Sequence, residues 1–216
     1  METRNCCNGE WLPGTGAGLE VMNPATGEVL AEIVQSTAAD VDQVVQSAQE
    51  AFNAWRRTPV TERIQYLFRY KQLLEESLEE LAGIISQESG KTLAEARGEL
   101  RRGIENVEVA CGAPTLMQGY NSEDIAAGID EHLFRQPLGV VAAITPFNFP
   151  AMIPLWFLPY AVACGNCFVL KPSEQTPLTA VLLVELLLET GLPAGVVSLV
   201  HGGREAGESL VQHSEV

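Results

Sequence analysis

Apolar residues follow two different rules along this chain. In the first half they recur at a helical period; in the second they come in short continuous runs separated by turn residues. Two runs, Gly18–Val21 and Val29–Val34, flank Asn23-Pro-Ala-Thr-Gly-Glu28, which predicts a hairpin. Thr37 and Asp40 have capping-box spacing, and an amphipathic helix follows to about Trp55. Thr58-Pro59 restarts a helix with Pro at its first position. Its apolar stripe, Ile64, Leu67, Phe68, Leu74, Leu78, Leu81 and Ile85, predicts one helix to about Ser89, stopped by Gly90. A third helix is predicted over Leu93–Met117, then a polar connector over Asn121–Gly128. Asp130–Arg135 and Gly139–Ile144 read as strands broken at Gln136-Pro137. Beyond them come a helix from Pro150 to Ala163, a strand at Cys167–Leu170, and a helix from Thr176-Pro177 to Thr190. Gly191-Leu-Pro193 ends that helix, Val196–Val200 is a strand, and Gly202-Gly203 opens a last helix.

From Gly139 on, strand and helix alternate. That spacing predicts a parallel sheet with right-handed crossovers, the α/β class. The alternation has not closed when the chain reaches Val216, and a doubly wound domain usually has more strands, so a portion of a larger protein is expected. Hydrophobic residues make up 46% of 216, enough for a sizeable core. The net charge of −15 speaks against nucleic acid or an anionic membrane as partner. An anionic cofactor needs only a few local donors and stays open. Five cysteines at irregular spacing do not form a disulfide framework. A reducing compartment is expected, the cytoplasm or a mitochondrial matrix. Met1–Cys7 lacks the basic-then-apolar order of a secretory leader. Pro150–Leu170 is too interrupted to span a membrane.

Two strand ends carry candidate chemistry, because ligands of open α/β sheets sit beyond the carboxyl ends of the strands. Asn148, in Pro146-Phe-Asn-Phe-Pro150, offers a carboxamide for a developing oxyanion; a turn asparagine bonded to its own backbone is an equal alternative. Lys171 can donate to a ribose hydroxyl or a phosphate. Glu174 can accept from a ribose 2′-hydroxyl and would repel a 2′-phosphate, which favours NAD over NADP. The bland alternative is a solvated strand end, since surface pairs of this kind are weak. Gly202-Gly203-x-x-x-Gly207 lacks dinucleotide-fingerprint spacing and reads as a tight strand-to-helix turn. Cys164-Gly-Asn-Cys167 has redox spacing but lies between a helix end and a strand, which favours two packed thiols. No cysteine or histidine cluster completes a metal site. Arg102 could clamp a carboxylate or simply face solvent.

Pro146–Pro150 and Lys171-Pro-Ser-Glu174 together resemble the aldehyde dehydrogenase superfamily. So do Asn23–Glu28, Ala51-Phe-x-x-Trp55, Glu88-Ser-Gly-Lys91 and Gly191-Leu-Pro-x-Gly-Val196, and the likeness covers nearly the whole chain. The run Pro146–Trp156 with Ala163-Cys-Gly-Asn166 is most similar to the CoA-acylating methylmalonate-semialdehyde dehydrogenases, which use NAD. Gln175 departs from the arginine usual in that subgroup, and Gln175-Thr-Pro-Leu-Thr179 resembles the hydrolytic enzymes instead.

The resemblance implies an aldehyde dehydrogenase-like α/β fold: the N-terminal portion of a doubly wound, Rossmann-like nucleotide-binding domain with a helical start and a β oligomerisation arm, without the catalytic domain. Its expected segments are 1–128, the first part of the NAD-binding domain; 129–145, the arm; and 146–216, the first βαβ units. It implies catalytic Asn148 in the oxyanion hole, and Thr145, Phe147, Lys171, Glu174 and Gln175 at the cofactor. It implies Arg102 at a semialdehyde carboxylate, coenzyme A as co-substrate, and a homodimer or homotetramer. In the family a cysteine thiolate attacks the aldehyde, hydride passes to NAD, and water or coenzyme A releases the thioester. The nucleophile, the general-base glutamate and the turn over the pyrophosphate would all lie beyond Val216, so this polypeptide is expected to be inactive by itself. The alternatives are a hydrolytic dehydrogenase releasing a free acid and a non-catalytic nucleotide-binding module.

Overall fold

The computed structural model describes residues 3–216; Met1 and Glu2, which begin the segment inspected for a leader, lie outside them. Asn8 and Gly9 take left-handed φ values of 51° and 77° and fold Asn5–Cys7 (β1) back on Glu10–Leu12 (β2). Asn-Gly is the strongest short hairpin signal, yet this hairpin was not predicted. Its strands are three residues each, too short to show alternation. The predicted hairpin is present as Gly18–Met22 (β3) and Val29–Val34 (β4), a separate antiparallel pair.

Thr37 starts α1 (Ala38–Trp55) through a reciprocal capping box. Its hydroxyl accepts from the Asp40 N–H, and the Asp40 carboxylate accepts from the Thr37 N–H at 2.8 Å. The single helix predicted to Ser89 is two, α2 (Val60–Glu76) and α3 (Leu78–Ser89), broken at Ser77. Leu74, Leu78 and Leu81 are buried on both sides of the break, so the apolar period continues across it and conceals it. Gly90, at φ 75°, ends α3 as predicted. The third helix also stops early. α4 (Leu93–Ala110) has its own capping box, Thr92 with Glu95, and a short α5 (Ala113–Leu116) follows Cys111-Gly112.

The predicted connector at 121–128 is instead largely strand. Asn121–Ala126 (β5) pairs with Ile129–His132 (β6), and the pair is exposed apart from Ser122, so no alternation marked it. The segment assigned to an arm at 139–145 is corrected too. Val140–Ile144 (β7) lies in the central sheet, parallel to Cys167–Lys171 (β8), with Ile144 opposite Lys171. Between them runs α6 (Met152–Cys164). Then come α7 (Leu178–Glu189), β9 (Val197–Leu199) and α8 (Arg204–Gln212).

The central sheet runs β2-β1-β9-β8-β7. Its β7, β8 and β9 are parallel, and β1 joins β9 antiparallel. All five residues of β8 are buried, so both sheet faces are covered. The two crossover helices, α6 and α7, share one face, under α2, α3 and α4. The other face is left to α1, which crosses β7, β8 and β9 and packs on α8. The functional consequence is that the loops after β7 and β8, with Asn148 and Glu174, leave the same end of the sheet.

Candidate functional site

β7 and β8 deliver two loops side by side. The Thr145 N–H donates to the Lys171 carbonyl at 3.0 Å, which carries the ladder one step past the strands. The Thr176 hydroxyl donates to the Phe147 carbonyl at 3.3 Å, tying the second loop to the first. Thr145 and Thr176 are buried; Phe147 and Asn148 are exposed. The Asn148 carboxamide makes no hydrogen bond among the described residues, so it is not the self-bonded turn asparagine that sequence left as an alternative.

The second loop borders a cleft of about 490 Å³ formed by Ile144, Lys171, Glu174, Gly203 and Gly207 with part of α8. Lys171 is 3% exposed, and its Nζ donates to the Pro172 carbonyl at 2.7 Å and stands 3.7 Å from the Glu174 carboxylate. Burial pulls the Lys171 ammonium below its ordinary pKa, and Glu174 opposes that shift. Glu174 keeps 40% of its side chain exposed and so retains acceptor capacity. Ile144, half exposed, supplies an apolar wall. A Cβ on Gly207 would stand 3.9 Å from Lys171 Cε, so a side chain there would occupy the cleft. An apolar wall beside a buried cation and an accessible carboxylate could hold a nucleoside diol, with Ile144 open to a base and Lys171 and Glu174 to the hydroxyls. Gly203 caps α8, so the glycine pair is the strand-to-helix turn expected.

Not every predicted residue joins this cleft. Asn148 lies outside its lining. Gln175 is exposed and borders a different cleft with Leu19, Glu20, Met22, Pro24, Glu88 and Glu174. Arg102 is exposed on α4, with its guanidinium 5.9 Å from the Trp156 ring centre. Cys164 and Cys167 sit at the C-terminus of α6 and the start of β8, and burial raises both thiols, Cys167 to about 12. That is the environment of packed thiols and the opposite of a redox pair.

Three charged groups support these loops; Glu99 was not named from the sequence, and Glu88 and Lys91 were named only as part of a resembling motif, with no role. Glu99, 4% exposed on α4, accepts from the N–H groups of Ala151 and Met152 at 2.9 and 3.1 Å, capping α6. Its other oxygen receives Lys91 Nζ, which also donates to the Asn148 carbonyl and lies 4.1 Å from the Phe149 ring centre. The Asn148 loop is thus pinned at residue 148 and again at 151–152. Glu88, 3% exposed, caps α7 the same way, accepting from Leu178 N–H at 2.8 Å, Thr179 N–H at 3.0 Å and the Thr179 hydroxyl. Burial pushes the Glu88 carboxyl up to about 7 against the pull of these donors. The signal was available: Glu88 follows Ile85, and Glu99 follows Ala96, by one turn on otherwise apolar stripes.

The sequence pattern of the aldehyde dehydrogenase family matches residues 11–216. The chain belongs to the aldehyde dehydrogenase family. It is 52% identical over 214 residues to malonate-semialdehyde dehydrogenase 2 of Geobacillus thermodenitrificans, covering 99% of this chain and 44% of that protein. The crystal structure of methylmalonate-semialdehyde dehydrogenase (DddC) from Oceanimonas doudoroffii is similar at TM-score 0.96 and 46% identity, over all of this chain and 44% of that one. PnpE from Pseudomonas sp. WBC-3, in complex with nicotinamide adenine dinucleotide, is similar at TM-score 0.95 and 35% identity, over 100% and 45%. An E. coli enzyme described as NADP dependent is similar at TM-score 0.96 and 34% identity, again over 100% and 45%. The chain therefore spans less than half the length of the relatives it matches.

Proposed function

We propose that this chain supplies the dinucleotide wall and an oxyanion donor of an NAD-dependent dehydrogenase for malonate or methylmalonate semialdehyde, with coenzyme A as acyl acceptor. The observation that carries the reading is the Glu174 carboxylate beside buried Lys171 at the carboxyl end of β8, one strand from the unbonded carboxamide of Asn148. Bound NAD would accept the hydride. The chain's own residues bind, orient and stabilise charge. Lys171 and Glu174 hold the adenosine ribose, with the carboxylate selecting a free 2′-hydroxyl. Thr145 and Phe147 line the nicotinamide side, and Gln175 borders the ribose from the neighbouring cleft. The Asn148 amide donates to the oxygen that gathers charge when the aldehyde carbon is attacked. Arg102 takes the carboxylate of the semialdehyde. Glu99, which caps α6, lies one turn before it on α4, so its guanidinium is within reach of the same loop. The exposed β5–β6 hairpin, not β7, serves as the oligomerisation arm.

The names of the similar proteins support the semialdehyde, and the residues 146–166 support coenzyme A. Gln175 favours water as the acceptor, and one assay separates the two. Burial raises all five thiols above their ordinary values, which supports a nucleophile outside these 216 residues. The test is NADH formation from malonate and methylmalonate semialdehyde, with and without coenzyme A. The polypeptide of the complete reading frame should turn over, faster with coenzyme A, and the 216-residue polypeptide should not. Turnover by the shorter polypeptide would refute the inactive-portion reading. Absence of turnover by the longer one would refute the enzyme.

A further inference from the structure

Arg56, Arg57, Arg63 and Arg135 converge on one polar cleft of about 510 Å³, with Met117 and Gln136 between them and no carboxylate in its lining. This is unexpected in a chain with 28 acidic and 13 basic side chains. Elsewhere Lys71, Lys91, Arg97, Lys171 and Arg204 each pair with a glutamate. Among the described residues, none of these four arginines pairs with a carboxylate.

Arg63 is the informative member because it is 4% exposed. Its Nε donates to the Ala163 carbonyl at 2.8 Å and its Nη1 to the Thr58 carbonyl at 2.6 Å. Nη2 meets only the Met117 sulfur, at 3.8 Å. Carbonyls satisfy donors without cancelling a full charge, and a buried cation normally has an anion. Two other arginines, both exposed, are tethered by contacts of their own. Arg56 lies 5.2 Å from the Phe52 ring centre, and Arg135 Nε donates to the Gln118 carbonyl at 3.3 Å. Like charges gathered this way repel unless an anion comes between them. The cleft lies near the amino ends of β7 and β8, about 15 Å along the strands from Lys171.

We propose that this cleft binds a phosphate group, either as the free ion or as the monoester of a small molecule. Planar guanidinium forks match the paired oxygens of phosphate, and the cleft is larger than one phosphate requires. The test is calorimetric titration of the 216-residue chain with inorganic phosphate and with ribose 5-phosphate at constant ionic strength. Wild type is compared with Lys171→Met and with the Arg57→Gln/Arg135→Gln double variant; Arg63 is left intact because it bonds to the frame. Saturable binding, retained in Lys171→Met and weaker by about tenfold or more in the double variant, is the expected result. The tighter of the two probes identifies the source. The proposal is overturned if neither probe saturates, if the double variant binds as wild type, or if Lys171→Met abolishes binding.

Discussion

At the scale of single residues, the buried acids decide more than the exposed ones. Among the described residues Glu88 has no cation partner, only the donors at the start of α7, and burial raises its carboxyl from an ordinary 4.5 to about 7. A carboxyl with a raised folded pKa is most favourable when protonated. Its contribution is therefore complete below about pH 4.5 and is lost as pH rises through about 7. The amount is on the order of 3 kcal/mol. Urea unfolding of wild type and Glu88→Gln between pH 5 and 8 should show wild type losing ground to the variant as pH rises. A difference that stays flat or runs the other way would mean that the three donors outweigh burial. Lys91 makes a second residue-scale case. Lys91→Met would release the Asn148 carbonyl and leave Glu99 buried without its cation. The expected cost is roughly 2–4 kcal/mol of stability. In the turnover assay kcat should fall by about tenfold from a loosened donor loop, while KM for NAD, whose ribose is proposed to sit on Lys171 and Glu174, should stay near wild type. An equal rise in KM for NAD would show that the two loops are not separately supported.

At the scale of elements, what could be read from the sequence was what burial enforces. Capping boxes at Thr37 and Thr92, the left-handed Gly90, and the order of β7, α6, β8, α7 and β9 all leave local marks, and all but Thr92 were predicted. What escaped had no such mark. Ser77 breaks a helix whose apolar stripe continues, and β5 and β6 lack a buried face; β7 was placed in a parallel sheet by the alternation from Gly139, and only the family resemblance had given it to an arm. The site followed the same division. As candidates, Asn148, Lys171 and Glu174 stood out because they end apolar runs, and Glu99 was marked by its place on the apolar stripe of α4; what no spacing announces is the helix contact through which Glu99 and Lys91 act. That contact, α4 against α6, is close because of Gly103. A Cβ there would stand 2.6 Å from Leu155 Cδ1 and 3.2 Å from its Cβ, inside a fully buried interface. Gly103→Val should cost about 1–3 kcal/mol, seen as a lower Tm, through overpacking. An unchanged Tm would show that α6 can shift without penalty.

At the scale of the whole molecule, the sheet gives the chain two ends of opposite character. Its carboxyl end holds Asn148 and the Lys171–Glu174 pair, and its amino end holds the arginine cleft. The fold is shared with both an NAD complex and an NADP-dependent enzyme, so the architecture alone does not set cofactor preference, and the selection proposed for the carboxylate at 174 is open to direct test. The most direct measurement is the ratio of kcat/KM for NAD to that for NADP in the polypeptide of the complete reading frame, for wild type and Glu174→Gln. A strong NAD preference that Glu174→Gln reduces by about tenfold, chiefly by admitting NADP, is the predicted result. A wild type that prefers NADP, or a ratio unmoved by the substitution, would contradict the assignment of this cleft to the adenosine ribose.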